Sequence, residues 1–131
     1  MERLRSKVRR LTRRSGGQAI EEVCQALNPL IRGWVNYFAL ADAKEHMRQL
    51  DEWTRRRLRQ VVWKQWKTTA NRRRNLLQRG VTEFWAIRTA GTSKGTWHLS
   101  LSPPLHKALG NAYWRNLGLL SFLNTYTLRQ T

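Results

Sequence analysis

The 131 residues fit one domain and are enough to bury a substantial core. With 25 Lys and Arg against 8 Asp and Glu, the formal charge of +17 excludes an ordinary neutral domain. It points to a polyanionic partner, nucleic acid ahead of an anionic membrane surface. Seven Trp and 40% apolar residues argue against a disordered polycation, and a single cysteine excludes a disulfide framework or a zinc finger.

Nearly every segment in chain order predicts a helix. In residues 3–14, Leu4, Val8 and Leu11 form one apolar stripe on a cylinder otherwise covered by Arg and Lys, and Ser15-Gly16-Gly17 ends it. Residues 18–27 read as a short helix with Glu21 and Glu22 near its N-terminus and Cys24 as a small buried residue. Asn28-Pro29 then reads as an N-cap and first helical residue. Over residues 29–41 the expected buried stripe is Leu30, Ile31, Trp34, Phe38 and Ala41, with Arg32 and Asn36 opposite and Tyr37 counted with the core.

Residues 42–66 make the longest predicted helix, capped by Asp42. Met47, Leu50, Thr54, Leu58, Val61 and Gln65 share one face, while Arg55, Arg56, Arg59 and Trp63 lie on another. A short helix over residues 71–79 stops at Gly80, and the next is capped by Thr82 with Gly91 just past its end. Residues 91–102 read as an irregular loop with some extended character. Pro103-Pro104 starts a helix with Leu105, Ala108, Leu109, Ala112 and Tyr113 inward, Gly118 closes it, and residues 119–128 give a last apolar helix. The expected architecture is all-α: one helical domain over residues 1–131 that includes the basic helix 1–14.

The charge is concentrated. Residues 1–52 carry 10 basic and 7 acidic side chains, a net +3; residues 53–131 carry 15 basic side chains and one acidic side chain, Glu83, a net +14. No apolar run approaches the roughly 18 residues of a membrane span. The N-terminus lacks the apolar stretch of a secretory signal, although an Arg-rich amphipathic segment is also what a mitochondrial transit peptide offers.

Catalytic constellations are scarce. Glu21/Glu22 and Asp51/Glu52 are adjacent pairs whose side chains diverge on a helix, and the sequence holds no Asp-x-Asp, Tyr-x-Asp-Asp or Gly-rich phosphate loop. His46, His98 and His106 are dispersed, and no cofactor or metal site is expected. The chemistry-bearing signal is basic clusters interleaved with aromatics. Arg suits phosphates and stacks on bases, and a Trp face is worth about 1–3 kcal/mol per stacked base. Trp63 and Trp114, among polar neighbours, divide between core and binding surface. Arg72-Arg73-Arg74 has no acidic neighbour in the sequence and so reads as a phosphate contact.

Four stretches carry a family resemblance: IEEVCQALNPLIRGWVNYF (20–38), LDEWTRRRLRQVVWKQWK (50–67), RRRNLLQRGV (72–81) and GTWHLSLSPPLHKALGNAYWRNLGLLSFL (95–123). In this order they resemble the maturase-specific domain, also called domain X or the thumb, of bacterial group II intron reverse transcriptases. The resemblance implies a thumb-like helical bundle with further C-terminal helices. It implies binding of group II intron RNA to assist splicing, contact with an RNA/DNA template–primer duplex, and association with a reverse transcriptase fingers/palm domain in the bacterial cytoplasm. It assigns RNA contacts to Arg55, Arg56, Arg57, Arg59, Lys64, Lys67, Arg72, Arg73 and Arg74, to which the aromatic reading adds Trp63. The polymerase carboxylates and the Cys- and His-bearing endonuclease domain of the relatives are missing, so no intrinsic catalysis is expected. The competing reading is a structural thumb that works only when docked on a polymerase core and binds little RNA alone.

Overall fold

A computed structural model describes residues 2–13, 18–38 and 41–130. Among these residues the fold is all-α, without strands. The helices are α1 (Glu2–Arg13), α2 (Ile20–Tyr37), α3 (Lys44–Trp66), α4 (Thr69–Gln78), α5 (Glu83–Ala90), α6 (Thr96–Leu99), α7 (Pro103–Ala108), α8 (Asn111–Asn116) and α9 (Phe122–Gln130). The expected stop at Ser15-Gly16-Gly17 lies outside the described residues. No helix of the described residues is long and apolar enough to cross a membrane.

Helix α3 is the axis of the molecule: it packs against α1, α4, α6 and α9. It buries Met47, Leu50, Thr54, Leu58 and Val61 as the periodicity requires, and also Asp51, Arg59, Val62, Trp63 and Trp66. A helix covered on two sides hides the face that a one-stripe reading assigns to solvent. Leu4 and Val8 of α1 and Ile20, Val23, Cys24, Leu27, Ile31 and Val35 of α2 complete this half of the core. Burial, and secondarily Glu21, push the Cys24 thiol up to about 12, so it is protonated and inert at neutral pH.

Several local expectations are corrected. Residues 18–27 and 29–41 do not form two helices: α2 runs unbroken through Pro29. Pro29 forfeits its own donor, but the stripe from Ile20 to Val35 is continuous, and burying it as one surface outweighs that loss. Asn28 is therefore not an N-cap. Its amide clamps a distant turn instead, donating to the Gly118 carbonyl at 2.8 Å and accepting from the Leu120 N–H at 2.9 Å. Asp42 caps nothing at the start of α3, where Ala43 holds the N-cap position. The Tyr126 hydroxyl accepts from Ala43 N–H at 3.1 Å and donates to the Ala41 carbonyl, fixing this entry to α9.

Helix α4 begins two residues early because Thr68 caps it, accepting from Asn71 N–H at 3.1 Å. Thr82 stands at the N-cap position of α5 without a side-chain cap bond. Gly80 and Gly118 stop α4 and α8 as expected. Both are left-handed, at φ 91° and 87°, and each is followed by an N–H that reaches back around the helix end, Val81 to the Leu76 carbonyl and Leu119 to the Trp114 carbonyl. The loop over residues 91–102 contains a one-turn helix, α6. The helix expected after Pro103-Pro104 breaks at Leu109-Gly110 into α7 and α8, where a Cβ on Gly110 would lie 2.9 Å from the His106 carbonyl oxygen. That break resets the helical register and turns Trp114 inward, its indole donating to the Leu109 carbonyl at 3.0 Å. It also leaves Ala112 exposed.

Helix α9 starts at Phe122, and its N-terminus is capped from another helix. The Asp51 carboxylate accepts from Phe122 N–H at 2.6 Å, Leu123 N–H at 3.0 Å and the Ser121 hydroxyl at 2.6 Å. A carboxylate satisfying the free donors at a helix N-terminus, aligned with its dipole, joins α3 to α9. At the far end of α2, Trp34 and Phe38 are only half-buried and Tyr37 is 78% exposed, so the expectation of a core Tyr37 fails.

Candidate nucleic-acid interface

The run Arg55-Arg56-Arg57-Leu58-Arg59 sends its guanidinium groups in different directions, because successive helical residues differ by about 100°. Arg55 lies 3.8 Å from the Asp51 carboxylate. Arg56 donates to the Trp97 carbonyl at 2.9 Å and to the Ser100 hydroxyl at 3.0 Å, and its guanidinium carbon stands over the Trp97 ring at 3.8 Å from the centroid. Arg59 is 4% exposed and donates to the Ser100 carbonyl at 2.8 Å. Burial first, then Arg55 and Arg56, push its pKa down to about 10, still high enough for it to stay charged at neutral pH. Arg56 and Arg59 hold α6 against α3, whereas the Arg55 pair lies within α3 itself.

Trp63 is 1% exposed and packs on Trp66, with ring centroids 5.9 Å apart. It has no free face for a nucleobase, and its sequence assignment to a stacking surface is corrected. Arg72 covers it at 4.7 Å and donates to its carbonyl at 3.1 Å. Arg59 and Arg72 are therefore packing residues. The other two residues of the Arg triplet are exposed on α4, but Arg73 has the acidic neighbour that the linear sequence hides: Glu83 at 3.3 Å. Arg74 donates to the Asn71 amide oxygen at 2.5 Å.

Arg57, Lys64 and Lys67 remain on the side of α3 facing α1. There a cleft of about 490 Å³ is lined by Arg13, Arg57, Lys64 and Lys67, with Thr12, Gln60 and Gln65 as uncharged polar groups and no carboxylate. Arg57 is oriented by donating to the Thr12 hydroxyl at 3.0 Å, and Thr12 in turn donates to the Val8 carbonyl at 2.9 Å. The pKa of Arg57 is lowered by burial, then by Arg9 and Arg13. That like-charge crowding costs free energy, which an anion placed there would relieve. Lys67 closes the cleft where α3 meets α4, in a left-handed conformation at φ 56° that non-glycine residues seldom adopt.

The cleft continues along α1. Arg5, Arg9 and Arg13 follow i, i+4, i+8 on one face. Arg5 and Arg9 each stand 5.5 Å from the half-buried Trp53 ring, and Arg57 stands 5.7 Å from it. Trp53 and these three α1 arginines were not among the residues assigned from sequence. The basic cylinder of residues 3–14 was the available signal, but its partner face on α3 is set only by packing. The surface can engage several phosphates at once. Among the described residues no group of His, Cys, Asp and Glu is placed to hold a metal ion.

The family model for the group II intron, maturase-specific domain matches residues 1–80, spanning α1 to α4 and the whole basic cleft. No curated protein matches the chain.

Proposed function

The chain belongs to the group II intron maturase-specific domain family, and from that premise we propose that it is an RNA-binding module that holds group II intron RNA and assists its splicing. The observation that carries this reading is the carboxylate-free cleft between α1 and α3 with its four cations. Phosphate contacts from Arg5, Arg9, Arg13, Arg57, Lys64 and Lys67 would position the RNA, while its A-form shape and loops supply specificity. Arg73 and Arg74 extend the positive surface. The ribozyme supplies the chemistry, and the protein neutralises phosphates that the active RNA fold crowds together. In a full reverse transcriptase the same surface would flank the template–primer duplex beside a fingers/palm domain, in the bacterial cytoplasm. We read residues 1–131 as one working unit, a reading supported by α3 carrying both halves of the core.

A second reading, a structural thumb docked on a polymerase core, draws support from the aromatic end of α2. There the exposed Tyr37 stacks on Trp34 with centroids 5.9 Å apart.

Titration of the chain with a group II intron RNA over a salt series separates the two. If about 5–8 phosphates are neutralised, the log–log salt slope should lie near −4 to −7, with tighter binding to intron RNA than to an unrelated structured RNA. A slope near zero sinks the RNA reading and leaves the docked thumb.

A further inference from the structure

We propose that the cleft between α5 and α7 binds an unpaired nucleobase of an RNA strand, stacked on Trp85. The inference rests on the RNA-binding reading but concerns a surface separate from the basic cleft and, apart from Gly80, beyond the residues matched by the family. The cleft has a volume of about 470 Å³, within the ~300–1,000 Å³ range of small-ligand sites. Trp85 lines it from α5, Pro103 and Pro104 line it from α7, and Val81 and Thr82 close the end. Trp85 is 53% exposed, an unusual state for so large an apolar side chain in a chain that buries Trp63 and Trp114 completely.

The charge around the cleft selects the occupant. Lys107 is the charged residue lining it. Its side chain passes over the left-handed Gly80, since a Cβ there would stand 3.5 Å from Lys107 Cε. Phe84 adjoins Trp85 edge to face at 5.1 Å, and Arg88 lies over Phe84 at 4.4 Å. Glu83 is the one carboxylate of residues 53–131, and it faces Arg73. A half-exposed indole in a cleft bordered by Lys107, with the Glu83 carboxylate engaged by Arg73, fits a base between phosphates better than it fits the apolar segment of a protein. The base must be unpaired, because A-form duplex keeps its base faces stacked whereas single strands and bulges splay them out.

The test uses the full chain, an unstructured single-stranded RNA and a blunt RNA duplex of equal length, titrated by fluorescence anisotropy. Trp85→Ala should weaken single-strand binding by ~5- to 150-fold and change duplex binding by less than about twofold, since phosphate contacts elsewhere supply the sequence-independent affinity. Trp85→Tyr should recover most of the loss, and Lys107→Gln should flatten the single-strand salt slope by about 1. Equal weakening of both RNAs, or none, overturns the base site; none would leave the cleft to a protein partner. If the wild type binds neither RNA, the RNA-binding reading itself fails and this inference with it. If the wild type binds both with a steep salt slope while Trp85→Ala is silent, only this inference fails.

Discussion

The two sides of α3 present the same residue type for opposite purposes. Toward α6, the guanidinium groups of Arg56 and Arg59 are engaged with the Trp97 and Ser100 carbonyls and with the Trp97 ring. Farther along, Arg72 from α4 covers Trp63. Toward α1, Arg57, Lys64 and Lys67 line an open cleft with Arg13 and meet no carboxylate there. Arginines adjacent in sequence thus divide between internal structure and an open cleft without a carboxylate. The planar guanidinium can satisfy a buried carbonyl and cover an aromatic ring at once, which a lysine cannot do as well. A run of cations is therefore not by itself a binding surface; what matters is which of them tertiary packing leaves lining a cleft without a carboxylate.

The largest effect expected from breaking this contrast lies on the interior side. Trp63→Ala should cost about 3–5 kcal/mol, the usual penalty for emptying a large aromatic site, and leave a poorly folded or insoluble chain. Trp34→Ala, at a half-buried position, should cost clearly less. Comparative thermal melts decide; equal losses would place Trp34 in the core beside Trp63.

Arg59→Met comes next. It preserves much of the packing volume but removes the donor to the buried Ser100 carbonyl, at a cost of about 1–3 kcal/mol. Intron RNA affinity should be unchanged where the variant remains folded. A selective loss of affinity with no loss of stability would move Arg59 to the binding surface.

On the cleft side the pattern should invert. Changing Arg13, Lys64 and Lys67 together to Gln should cost under about 0.5 kcal/mol per exposed site, yet flatten the RNA salt slope by about 3. If the slope stays put, the cleft is not where phosphates bind.

The smallest effect is a pH dependence that reports on the packing around both arginine groups. His46 is held below its ordinary value by burial and then by Arg5; His106 is held below it by burial and then by Arg59. With folded values below the unfolded 6.5, the unfolded chain takes up protons first as the pH drops. The stabilising contribution is complete above about pH 6.5 and is lost as the pH falls through the folded values. Melting temperature should therefore decline modestly from pH 7 to pH 5, and the double variant His46→Gln/His106→Gln should decline less. An identical decline in the variant would assign the effect to other groups.

The sequence alone determined what depends on local chemistry. The helical class follows from 3.6-residue periodicity, the stops at Gly80 and Gly118 from the left-handed conformation that glycine adopts cheaply, and the family from long unusual strings of residues. The apolar stripes of α1 and α3 were legible because one side of each cylinder is apolar. Tertiary structure decided the rest. Periodicity fixes the angle between Trp63 and Leu58 but does not reveal that α6 and α4 cover a second face of α3, so Trp63 and Arg59 read as surface and proved interior. Asn28 reads as a cap for its own helix and Asp51 as a mid-helix carboxylate; they instead hold the Gly118 turn and the start of α9, 90 and 71 residues away. The α1–α3 cleft needed both helices in register before Arg5, Arg9, Arg13 and Trp53 could be seen beside Arg57. A one-dimensional pattern records which side chains share a face, while the partner of that face is chosen by burial summed over the whole chain, and that sum decides which cations are engaged in the interior and which line the surface.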